Sequence, residues 1–173
     1  MAIQRFLSLI DGIATGVAAL VSSAGSADAG KLVATGANGR LDESLMPEGI
    51  GANITPAVAS EAIGAGKFIN FHSVGGVLNI RLADNSNNRP ANGFVKEAVA
   101  NAATGQVYQL DITNSNLSGL TPGAKYYLGL AGGVVAVALD AQDNNNFGNI
   151  SQYIGTAKSA TELVTTDDTI FII

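Results

Sequence analysis

The chain has 173 residues, which leaves room for one core and a modest appendage rather than several domains. Its net charge of −5, with no run of Lys or Arg, argues against a surface that displaces counterions from nucleic acid, and the absence of cysteine removes disulfides, thiolate nucleophiles and cysteine metal sites. Only 13% of residues are charged while 47% are hydrophobic, so a free monomer has little charge to solvate it, which points to surface buried against partners.

Residues 1–24 carry the one sustained helical period. Ile3, Ile10, Val17 and Ala24 recur every seven residues, Phe6, Ile13 and Leu20 follow three after, and Leu7, Ala14 and Val21 complete the stripe. The spacing predicts an N-terminal amphipathic α-helix, and isoleucine at both heptad positions favours three strands over two. A trimeric bundle is expected, with Ile3, Phe6, Ile10, Ile13, Val17 and Leu20 as the oligomer contact. The alternative is a helix packed on its own domain, and Gly12 and Gly16 weaken it as an isolated helix. Arg5 before an apolar stretch and Ala27-Asp28-Ala29 imitate a signal peptide, but Asp11 and Gly12 interrupt the apolar stretch. No segment reaches the roughly 18 uninterrupted apolar residues of a membrane-spanning helix.

Residues 25–52 turn Gly- and Ala-rich and read as an extended arm or linker, with a turn at Gly36-Ala37-Asn38-Gly39 that could close a small hairpin. Residues 53–173 then form a β domain. The expected strands are 57–62, 67–72, 77–83, 93–98, 106–112, 125–130, 134–139, 151–157 and 169–173. With 21 glycines against 4 prolines, this spacing suits an antiparallel β-sandwich or barrel, so the fold class is mainly β, preceded by a helix and an arm. Val77, Asn79 and Arg81 alternate with Leu78, Ile80 and Leu82, giving one inward and one outward face, whereas Val134 to Val137 read as covered on both faces. Tyr126 and Tyr127 put one ring on each face, at least one of them in the core.

Candidate chemistry is sparse. Residues 25–31 fit a phosphate loop until Leu32, which stands where Ser or Thr must hold magnesium, and the segment neither follows a strand nor opens a helix. His72 is the sole histidine, without partners for zinc and without a nucleophile-elbow serine, so it reads as a partly exposed polar residue. Asp140 to Asn149 offers oxygen donors but lacks the spacing and closing glutamate of a calcium loop. The pairs Glu43/Glu48 and Asp167/Asp168 read as solvated carboxylates rather than an acid/base pair, and the three Asn-x-Ser/Thr matches carry no chemistry without a secretory route. Aromatic residues, at 6%, are too few for a stacking platform or an aromatic sugar groove. The expectation is therefore no catalytic residue, no cofactor and no metal, hence not an enzyme.

One resemblance stands beside this reading. Ala29-Gly30-Lys31-Leu32-Val33-Ala34, then Gly39-Arg40-Leu41-Asp42-Glu43-Ser44-Leu45-Met46-Pro47 and Gly49-Ile50-Gly51-Ala52, resemble tailed-bacteriophage virion structural proteins of the capsid decoration and head-fibre type. Gly66-Lys67-Phe68-Ile69-Asn70, Ala91 to Val95, Leu120-Thr121-Pro122-Gly123 and Tyr126-Tyr127-Leu128 extend the similarity along the chain. The resemblance implies a homotrimer that binds the major capsid protein or other virion proteins on the outside of the shell. It implies assembly in the host cytoplasm and reinforcement of the capsid, while charge and apolar run length lead to the expectation of neither nucleic acid nor membrane as partner. Similar pieces occur in tail-fibre and receptor-binding proteins, so a tail-fibre or baseplate module involved in host attachment is the alternative.

Overall fold

The computed structural model describes residues 5–23, 26–37, 39–42, 45–46 and 54–173, and the chain divides into two units, residues 1–51 and 52–173. In the first, strands β1 (Arg5–Ile10) and β2 (Ile13–Ala18) pair antiparallel in unbroken register from Arg5 opposite Ala18 to Ile10 opposite Ile13. Asp11 (φ 50) and Gly12 (φ 79) join them with two successive positive φ values, the two-residue turn whose twist matches its flanking strands.

This hairpin overturns the helix expected over residues 1–24, and with it the coiled coil. Asp-Gly between apolar runs is among the strongest local hairpin signals, and Gly12 and Gly16 would each cost a helix about 1 kcal/mol relative to alanine. The β-branched Ile13, Thr15 and Val17 also favour a strand. With a period of two, the heptad stripe regroups. Phe6 lies opposite Val17, Ile10 lies opposite Ile13, and Leu20 falls beyond the hairpin in a parallel bridge with Val33. Ile3 lies outside the described residues.

Further along this unit, Ser26–Asp28 forms a single 3-10 turn. The turn expected at Gly36 to Gly39 is closed by the Gly36 N–H donating to the Arg40 carbonyl at 2.8 Å, with Gly39 at φ 72, although neither flank is a strand. Among the residues of 1–51 whose burial is described, not one is buried.

The second unit is built from β3 (Ile54–Ala59), β4 (Phe68–Val74), β5 (Val77–Leu82), β6 (Gly93–Val95) and β7 (Thr104–Gln109), which close into a barrel in the order β3-β5-β4-β6-β7. All its pairings are antiparallel except β3 with β5. Then come β8 (Thr113–Asn114), β9 (Lys125–Leu128), β10 (Val134–Val135), β11 (Ile150–Ala157), β12 (Leu163–Thr165) and β13 (Ile170–Ile172). They form an antiparallel sheet in the order β10-β9-β11-β12-β8, with β13 pairing the first residues of β11. The mainly β expectation holds for this unit, as a small barrel joined to a sheet.

Strand alternation divides two cores. Ile69, Ile80, Val95 and Val107 point into the barrel with Ala57, Ala59, Ile63 and Val99. Their neighbours Phe68 and Phe94 point outward against Tyr126, Leu128, Ile154 and Leu163 of the sheet. Burying a side chain of this kind contributes roughly 1.5–3 kcal/mol, so barrel and sheet stabilise one another. Tyr126 is the core ring, as expected, while Tyr127 is half-buried with Tyr153 5.7 Å away.

Three buried amides fasten the two layers. Gln152 exchanges hydrogen bonds with the backbone of Ala91 at 2.8 and 2.9 Å, imitating a strand pairing. Asn85 donates to the Leu128 carbonyl at 3.0 Å, and Asn114 to the Gly66 carbonyl at 2.9 Å. The run at Val134 differs from expectation, because β10 is only two residues long and pairs β9 alone, which leaves Val137 exposed rather than covered.

Candidate functional site

Apolar surface without cover is the first candidate. In residues 1–51 the large apolar side chains Leu7, Ile13, Val21, Leu32, Val33 and Leu41 are exposed, Ile13 at 69%. Of the contact residues expected there, Phe6, Val17 and Leu20 are half-buried, and Phe6 and Val17 meet across the hairpin. A two-stranded hairpin with no core is marginal in water on its own. Such surface gains free energy only when another surface covers it.

The β domain carries two further strips. All three residues of β13 are exposed on both faces of the strand, Phe171 at 64%, and Phe147 beside the end of this pairing is exposed as well. At the far end of the barrel, Gly75 (φ 59) and Gly76 (φ 81) make the β4–β5 turn and present Val74, Val77 and Leu78 to solvent.

The second candidate is polar and lies on the outer face of the barrel. Because Ile69 and Ile80 face inward, Asn70 and His72 of β4 share the outward face with their register partners Arg81 and Asn79 of β5. Asn70 is saturated. It donates to the Pro90 carbonyl (3.0 Å) and to Asn92 Oδ1 (3.2 Å), and it accepts from Arg81 Nε (2.9 Å), which fixes the guanidinium. Ser60, just past β3, places its Oγ 2.9 Å from His72 Nε2. Glu61 accepts the Leu82 N–H at 2.8 Å and lies 4.0 Å from Arg89. Burial, and then the charges of Arg81 and Arg89, hold the His72 imidazole below its ordinary value of 6.5, with Glu61 opposing. Ser60 was invisible as a partner of His72 in the sequence, since only the parallel pairing of β3 with β5 brings the end of β3 near β4.

The remaining sequence motifs resolve locally. Lys31 of the phosphate-loop look-alike pairs with Asp28 at 2.7 Å, and the Leu20–Val33 bridge shows extended backbone where a phosphate loop would open a helix. In the Asp140 to Asn149 loop the carboxylates hold turns: Asp140 Oδ1 accepts the Gln142 N–H, and Asp143 Oδ1 accepts the Asn145 N–H. Among the described residues no group of three His, Asp or Glu side chains is placed to hold a metal. Asp167 and Asp168 are exposed, and Glu43 and Glu48 lie outside the described residues. A cleft of about 340 Å³ beside the β6–β7 connection holds Lys96, Glu97, Thr104, Gln106 and Tyr108, with Lys96 Nζ 3.9 Å over the Tyr108 ring. Its lining has one carboxylate, where glycoside hydrolysis by the usual acid/base route uses two.

No protein-family model matches the chain, and no curated protein does. Among solved structures it is similar to the N base of the head fibre gp8.5 of bacteriophage phi29, at 15% identity and a TM-score of 0.42, over 65% of this chain and 92% of that one. At this distance no residue role crosses from one to the other.

Proposed function

We propose that this chain is a structural subunit of a tailed-phage particle, a decoration protein that binds the outside of the shell as a trimer and stabilises it without catalysing a reaction. One observation carries the reading: residues 1–51 hold a run of large exposed apolar side chains and no buried residue among those whose burial is described, whereas the β domain has two cores of its own. Such a segment is built to be covered by another subunit. The sequence resemblance supplies the identity of that subunit, a capsid protein or a sister copy. Each apolar side chain of Leu or Ile size that becomes covered contributes roughly 1.5–3 kcal/mol, and three copies acting together multiply the contact without any single strong site. The low charge of the chain fits the same role, because little of its surface is left to be solvated once assembled.

The test uses the full chain and particles of the phage that encodes it. Sedimentation at micromolar concentration is expected to give a trimer mass, and gold label on the chain is expected on the head. Ile13→Asp, at an exposed position of the hairpin, leaves the unfolding midpoint unchanged and lowers trimer or particle binding at least tenfold. A monomer mass with no binding to heads overturns the reading, and label confined to the tail replaces it with the fibre or baseplate module.

A further inference from the structure

Residues 52–173 contain two arginines, Arg81 and Arg89, and the single histidine of the chain, and the barrel brings all three to one outward face although the chain is acidic overall. The face is also prepared. Arg81 is anchored through Nε by Asn70, itself held by Asn92 and Pro90, so the terminal nitrogens of the guanidinium remain as a fixed fork.

A second, independent observation sits two residues along β5. Asn79 is 8% exposed, and its Oδ1 is buried without a hydrogen-bond donor among the described residues. A buried acceptor left unpaired costs about 1–3 kcal/mol, a cost that a donor from outside the chain removes. Its register partner on the same outward face is His72, whose imidazole contacts exposed Ser60. Two residues of strand separate Asn79 from Arg81 by roughly 7 Å. That span matches the distance from an anionic substituent to a hydroxyl across one sugar ring.

We propose that this outer barrel face, made by Ser60, His72, Asn79, Arg81 and Arg89, binds an acidic saccharide. The carboxylate or phosphate lies on the arginine forks, and ring hydroxyls lie on Asn79 and the Ser60–His72 pair. The guanidinium fork accepts either anion as a paired set of N–H···O bonds, and Glu61 beside Arg89 rejects ligands that carry a second negative group on that side. The site is independent of the assembly surface in residues 1–51, so it stands or falls apart from the decoration reading.

His72 is the only histidine, so its imidazole resonances report on the face without ambiguity in the full chain. Titration with glucuronic acid, glucose 6-phosphate, glucose and inorganic phosphate separates the parts of the proposal. A saturable shift of His72 is expected with glucuronic acid or glucose 6-phosphate, and whichever binds more tightly names the anion. Glucose alone and inorganic phosphate alone are expected to bind at least tenfold more weakly. Arg81→Gln is expected to weaken the acidic sugar at least tenfold and Asn79→Ala several-fold, in variants whose far-UV circular dichroism shows the native fold. Should Arg81→Gln fail to fold, Arg89→Gln, on a half-buried side chain outside the strands, takes its place with a several-fold loss expected. No saturable shift with either acidic sugar overturns the proposal. So does inorganic phosphate binding as tightly as glucose 6-phosphate, or binding that both arginine variants leave intact.

Discussion

The two units of this chain use similar residues to opposite ends. In the β domain, adjacent apolar residues such as Phe68 and Ile69 enter two different cores, one between barrel and sheet and one inside the barrel. In residues 1–51 the strand pairing of β1 and β2 is as regular, yet the same kinds of side chain find no interior. Regular backbone hydrogen bonding therefore does not by itself distinguish a folded domain from an arm. What distinguishes them is whether a second layer covers the apolar face. The arm is the place where stability and assembly separate, so substitutions in the two units should have different readouts.

The largest expected effect is in the interlayer core. Phe94 is fully buried, its ring centroid 5.9 Å from that of Phe68 and 5.8 Å from that of Tyr108. Phe94→Ala should destabilise the β domain by about 3–5 kcal/mol, through lost transfer energy and the cavity left behind. Denaturant unfolding followed by tyrosine fluorescence measures it. A loss under about 1 kcal/mol would show that barrel and sheet do not depend on one another, and the contrast between the two units would fail.

A smaller effect separates the hairpin from the helix it was expected to be. Gly12 sits at φ 79, where an alanine costs roughly 1–2 kcal/mol, whereas in a helix the same change would stabilise by about 1 kcal/mol. Gly12→Ala should therefore loosen residues 5–18 and leave the unfolding midpoint of the β domain in place. Amide exchange over β1 and β2 reads the difference. Slower exchange in the variant would restore the helix.

That sign reversal shows where the sequence was readable and where it was not. In the β domain the alternation of Val77 to Leu82 gave the strand and its two unlike faces correctly, because a period of two in a half-buried strand has few competing explanations. Over residues 1–24 the apolar residues satisfy a heptad and a hairpin at once. The deciding signal was Asp11-Gly12, whose effect on backbone twist outweighs a side-chain period. Strands β8 and β12, of two and three residues, carry too little pattern to be read, and they exist because long-range pairing recruits them. The polar face was least legible. Ser60, Asn79 and Arg89 come from three separate segments, and no spacing in the sequence records that β3 lies parallel to β5.

The smallest expected effect tests that face without any ligand. The His72 imidazole is held below its ordinary value of 6.5, so between its folded value and 6.5 the unfolded chain binds the proton more readily than the folded one. The associated stability is present in full above pH 6.5 and is lost as pH falls through the folded value. Carboxylates titrate mainly below this window, and no second histidine shares it. The denaturant midpoint should therefore fall modestly between pH 7.5 and 5.0 in the native chain and fall less in His72→Gln. Arg81→Gln should shrink the same step, because it removes one of the two cations that oppose protonation while leaving burial in place. If the native chain and His72→Gln keep parallel profiles, Arg81 and Arg89 do not act on the imidazole, and the outer barrel face is not the positive site its register suggests. The arm offers the control. Ile13→Asp changes no group that titrates in this window, so its pH profile should run parallel to that of the native chain.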